Sequence, residues 1–209
     1  MDLTKYNEIR EEIRTGDVFA FSGKGNTSNI IKHITSSEYS HVGMALWITP
    51  MHSEINRLFI VESTTLNNVP DVDGTYRRGV QMVPMAQRLE GYIGKCWWVP
   101  IKVPILNDEE KTKLTTWLFQ KHSSRIEYDT AQAIAAGIDP ETWPKGTRWI
   151  GNLFGRWTNT KEDMNKMFCS ELVTKALQEI NRVSSDINPS EQTPADVIKF
   201  DCLQEPIAL

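Results

Sequence analysis

Strict alternation of apolar and small or polar residues is clearest over His41 to Ile48. Val42, Met44, Leu46 and Ile48 fall on one face, and His41, Gly43, Ala45 and Trp47 on the other, which predicts a strand. Leu58 to Ser63 predicts a second strand, and the polar stretch Thr49 to Arg57 joins the two as a long hairpin loop. Shorter apolar runs at Val18 to Phe21, Val80 to Val83 and Cys96 to Lys102 predict further strands. Helical spacing marks Leu3 to Arg14, Thr27 to Ile34, the stretch from Asn107 with its acidic first turn, Tyr128 to Ala136, and Cys169 to Ile180. Thr193-Pro194 caps a short last helix. Strands come first and helices last, which predicts an α+β domain over an antiparallel sheet.

The stretch from Gly137 is dense in Gly, Pro and Trp, and 137–160 is expected to be an insertion or lid within a single domain spanning 1–209. Trp149, Leu153 and Trp157 recur every four residues, so a short helix there would present one aromatic face, and an apolar part of a substrate would use Trp149 and Trp157. Ordinary core packing is the alternative role for these side chains.

Charge removes one class of function. A net charge of −4 with 24% charged residues of mixed sign provides no basic field for a phosphate backbone, so nucleic acid is not an expected ligand. The polar start, Met1 to Arg14, has no apolar run that would serve as a signal peptide or membrane span, which predicts a cytoplasmic protein; peripheral lipid contact stays open. Three cysteines without CxxC spacing, Cys96, Cys169 and Cys202, predict free thiols.

One of the thiols is placed for chemistry. Cys169 begins a helix, where partial positive charge and unpaired N–H groups lower a thiol pKa and can hold an oxyanion. It shares a stripe with Leu172, Val173, Ala176, Leu177 and Ile180, so it faces inward, where many cysteines only fill space. No good N-cap residue precedes it. Of the four histidines, His41 alone sits in a strand among small neighbours; His33 is expected on a surface, His52 in a polar loop, and His122 at the end of a charged helix. Glu62 closes the strand after that of His41, and an antiparallel hairpin would bring the two together. Gly23-Lys24-Gly25 is similar to a phosphate loop, but the rest of that motif is absent and a turn is expected.

The strings Gly16-Asp17-Val18-Phe19-Ala20-Phe21, Ser40-His41-Val42-Gly43-Met44-Ala45-Leu46, Val61-Glu62-Ser63 and Phe168-Cys169-Ser170-Glu171-Leu172-Val173, with Tyr128-Asp129 and Thr193-Pro194-Ala195-Asp196, resemble the circularly permuted NlpC-type papain-like cysteine hydrolases, the YiiX-like proteins. In that group the histidine precedes the nucleophile, the reverse of papain. The resemblance implies a small antiparallel sheet packed against the cysteine helix, with Cys169 as nucleophile, His41 as base and Glu62 as third member. Tyr128 is a candidate oxyanion donor. No cofactor is implied.

The expected activity is hydrolysis of an amide or ester, in a peptide-like or acylated substrate, through an acyl-cysteine intermediate. The related lecithin-retinol acyltransferase group supplies one alternative, thiol acyl transfer on lipids, although its third residue is typically a second histidine. A catalytically silent binding or virion-associated module is the other. A zinc site from Cys169, His41 and Glu62 lacks paired ligands at helical spacing. Substrate, oligomeric state and cellular or viral origin stay open.

Overall fold

A computed structural model of the chain describes residues 1–49, 54–127 and 167–209. The described elements are α1 (Thr4–Ile9), β1 (Val18–Gly23), α2 (Asn26–Ile34), β2 (His41–Ile48), β3 (Arg57–Thr64), β4 (Gly79–Pro84), α3 (Met85–Glu90), β5 (Gly94–Val99), α4 (Asp108–Ser123), α5 (Cys169–Glu179), a 3₁₀ turn (Pro189–Glu191), α6 (Pro194–Val197) and β6 (Ile207–Ala208). Among these residues the strands form one sheet in the order β4-β3-β2-β1-β5-β6. Every pairing is antiparallel. The α+β architecture agrees with the strand-first, helix-last pattern.

The sheet is buried on both faces, which is why β2 carries apolar residues on one face and small ones on the other. One face, with Val42, Met44 and Val61, packs against Leu172, Val173, Ala176 and Leu177 of α5. Each fully buried Leu of this kind contributes about 1.5–3 kcal/mol. The opposite face, with Phe19, Phe21 and Ile60, packs against Met85 and Leu89 of α3. Helix α4 starts on a capping box: Asn107 accepts from Glu110 N–H at 2.9 Å, and the Glu110 carboxylate accepts from Asn107 N–H at 2.8 Å.

Two element ends differ from the sequence expectation, and two elements are new. The first helix ends at Ile9, not Arg14, because the Asp17 carboxylate takes the Arg14 N–H at 2.8 Å and turns the chain into β1. The fifth strand ends at Val99, before Pro100, which has no N–H to give a ladder. Helix α3 and strand β6 were not anticipated; β6 has two residues, too few for any period. The helix expected over Tyr128 to Ala136 and the insertion expected at 137–160 lie outside the described residues. Among the described residues no helix is long and apolar enough to cross a membrane.

Candidate active site

Two strand ends and one helix start meet at this site. The β2–β3 ladder runs from Ile48↔Arg57 to Met44↔Val61, whereas β2 continues against β1 as far as Phe21↔His41. His41, Val42 and Gly43 therefore project past the ladder, and the amino end of α5 enters there. Ser63 Oγ donates to Met167 C=O at 2.6 Å, tying β3 to the residues just ahead of Cys169.

His41 and Glu62 lie on the face of the sheet away from the body of α5. His41 Nε2 is 2.5 Å from Glu62 Oε2. Continuing the register places Gly43 opposite Glu62, and its lack of a side chain is required: a Cβ there would come within 2.7 Å of Ile60 Cδ1 and 3.1 Å of Glu62 Cβ. With Nε2 taken by Glu62, the other ring nitrogen, Nδ1, is left to serve the Cys169 thiol, whose ionised form His41 favours. The backbone N–H groups of Val42 and Ser170 also favour the thiolate. Phe168, the N-cap of α5, makes no side-chain cap, so the first-turn N–H groups stay available to the sulfur or to an oxyanion. The missing cap residue is thus a feature of the site.

Glu62 is wholly buried and heavily partnered. Arg88 Nε donates to Oε1 at 2.6 Å and Nη2 to Oε2 at 3.3 Å, and Gln81 Nε2 donates to Oε1 at 3.1 Å. Arg88 is itself 1% exposed and lies over the rings of Phe21, at 5.5 Å, and Tyr92, at 5.2 Å. Burial by itself would raise the Glu62 pKa; the Arg88 charge, then His41, overcome it and bring it down to about 2. Burial by itself would lower the His41 pKa; the Cys169 charge and hydrogen bond, with Glu62, push it up to about 9. Cys169 moves the other way, burial being overcome by the His41 charge, with help from the N–H groups of Val42 and Ser170, so its pKa falls below the ordinary thiol value. Burial raises the thiols of both Cys96 and Cys202.

Cys169, His41 and Glu62 are thus brought together. Tyr128, Trp149 and Trp157, the candidate substrate contacts, lie outside the described residues, as does His52. His33 is exposed. His122 differs from the expectation of a merely charged helix end: it is buried, with Nε2 3.0 Å from both oxygens of buried Asp71. Sequence reasoning missed Arg88 and Gln81. The signal for Arg88 was weak but present, since Met85, Arg88 and Leu89 share one face of a helix turn.

No protein-family profile matches this sequence, and no curated protein matches it. Among solved structures it is similar to the metalloprotein yiiX from Escherichia coli O157:H7, with a TM-score of 0.55 and 17% identity over 94% of this chain and 96% of that one. At that identity the likeness concerns the fold, which is YiiX-like.

Proposed function

We propose that this chain is a papain-like cysteine hydrolase, in which Cys169 attacks an amide or ester carbonyl. The observation that carries the reading is the continuous chain Cys169–His41–Glu62–Arg88, set where a helix amino terminus meets two strand ends. The thiolate forms the C–S bond while the carbonyl oxygen gathers charge beside the Cys169 N–H. His41 gives its proton to the leaving amine or alcohol as the tetrahedral adduct collapses to the acyl-cysteine. It then takes a proton from water, which attacks the acyl carbon and returns Cys169. Glu62 holds the imidazole in orientation and favours its cationic form, without bonding to substrate.

The yiiX neighbour is described as a metalloprotein, and among the described residues the donors around Glu62 do not fit a metal centre. Both Glu62 oxygens are occupied by Arg88, Gln81 and His41, and a cation at that carboxylate would face the Arg88 guanidinium. Among the described residues no group of three or more His, Cys, Asp or Glu could hold a metal ion.

Labelling with peptidyl and acyl thiol-reactive probes of differing tails, read by intact mass, tests the reading. Single modification at Cys169, lost in Cys169→Ala and His41→Ala, is expected, with the tails ranking amide against ester substrates. Equal labelling of Cys96, Cys169 and Cys202 in the folded protein would overturn it.

A further inference from the structure

Beside His41 opens a cleft of about 470 Å³ whose lining, among the described residues, includes no carboxylate. Its walls come from the loop after β1, the first turn of α2, Thr64 to Asn68, Arg88 and Tyr92. Gly23-Lys24-Gly25 is therefore more than a turn. Gly25 is the N-cap of the nine-residue helix α2, which has no side-chain cap and no acidic residue in its first turn. The first bond of that helix is Asn29 N–H to Gly25 C=O at 3.0 Å, so the amides ahead of Asn29 are uncapped donors at the positive end of a helix dipole.

A second, independent feature points to a ligand in the same place. Arg88 borders the cleft, is 1% exposed, and its buried Nη1 has no hydrogen-bond partner among the described residues. Ser28 and Tyr92, both in the cleft wall, converge on Gly23, where a Cβ would meet Ser28 Oγ at 2.5 Å and Tyr92 Oη at 3.2 Å, so only glycine leaves room for both hydroxyls. Lys24 is exposed at the mouth, and Lys32 donates to Gly23 C=O at 2.7 Å, holding the loop and adding positive charge beneath it. The Glu62 carboxylate is not part of the cleft lining and is engaged with Arg88, Gln81 and His41.

From these groups we infer an oxyanion-binding subsite, formed by the α2 amino terminus with Lys24, Ser28, Tyr92 and Arg88, that takes a phosphate or carboxylate group. Resting on the proposed hydrolase reading, the subsite defines the substrate class: an acyl compound with an anionic group next to the scissile carbonyl. Helix amides, hydroxyls and a cation are the donor set that such oxyanions use. Leu66 and Ile93, both exposed at the cleft wall, would meet the apolar part of the same molecule.

The test uses the full chain carrying Cys169→Ala, so that binding is read without turnover. Inorganic phosphate, acetate and chloride are titrated at constant ionic strength, and the backbone amide resonances of Gly25 and Ser28 are followed. Saturable shifts with phosphate or acetate, and none with chloride, are expected. The added double change Lys24→Gln with Ser28→Ala, whose fold is checked by its melting temperature, should weaken them about 5-fold or more. Tighter binding of phosphate would assign the substrate's group to a phosphate ester, and tighter binding of acetate to a carboxylate. Absent shifts, equal shifts with chloride, or affinity unchanged in the double variant would overturn the subsite. Saturable binding in a protein whose Cys169 resists every thiol probe would sink the hydrolase reading and leave the subsite standing.

Discussion

Arg88 and His41 share the carboxylate of Glu62: Arg88 Nε lies 2.6 Å from Oε1 and its Nη2 3.3 Å from Oε2, while Oε2 also meets His41 Nε2 at 2.5 Å. The carboxylate is thereby fixed at both oxygens, and the imidazole has one orientation left to it. Arg88 is in turn fixed by the rings of Phe21 and Tyr92 and by helix α3, so the order of the site extends from the thiol into the second core layer.

Removing Arg88 leaves a buried carboxylate without its main counter-charge. Arg88→Met is expected to cost about 3–5 kcal/mol of stability, the usual result of breaking one side of a buried ion pair. Arg88→Met combined with Glu62→Gln should recover part of that loss, which a thermal or urea unfolding cycle would measure. Additive losses would show that the two side chains do not interact as described.

The difference between Glu62 and Arg88 shows what the chain's pattern reveals. Strand β2 was legible to the residue, because alternation is a local signal and the strand's bounds coincide with it. Cys169 at a helix start was legible for the same reason, through the apolar stripe of α5. The Glu62 pairing followed from hairpin geometry, with Gly43 providing the space. Arg88 left only a weak local signal, its shared face with Met85 and Leu89, because a charged residue in a six-residue helix reads as surface; its partner Glu62 is not encoded in that pattern. His122 was hidden, its partner Asp71 being 51 positions away.

Gly43 gives a packing test of the same geometry. Gly43→Ala would press a methyl against Ile60 and the Glu62 Cβ, and overpacking of this kind costs about 1–3 kcal/mol. A fall in melting temperature together with a loss of Cys169 labelling is expected, since Glu62 must shift to admit the methyl. Unchanged labelling would mean that Glu62 does not depend on this space.

Glu62 should also shape acid stability. Its folded pKa, about 2, lies below its ordinary value of 4.5, so the unfolded chain takes up the proton first as pH falls. The stabilisation it contributes is therefore complete above about 4.5 and is lost as pH falls from there towards 2. Unfolding curves measured at steps across that range should show the native protein losing stability more steeply than Glu62→Gln. Parallel slopes would refute the assignment.

Cys169 is depressed below the ordinary thiol pKa while burial raises Cys96 and Cys202, so iodoacetamide at mildly acidic pH should modify Cys169 first. The main cause of the depression is the His41 charge, so His41→Ala should move the alkylation profile of Cys169 towards alkaline pH, where an unassisted buried thiol ionises. Turnover should follow a different course. Thiolate is present throughout the upper range, but departure of the leaving group needs the His41 proton, and that proton is lost as pH rises through about 9. Alkylation of the native protein should therefore hold its rate above that pH while kcat declines, and the separation of the two profiles is the signature of a thiolate–imidazolium pair. Mass-resolved alkylation rates beside kcat, measured from mildly acidic to alkaline pH, would show it. A His41→Ala profile that overlays the native one would remove His41 from the site.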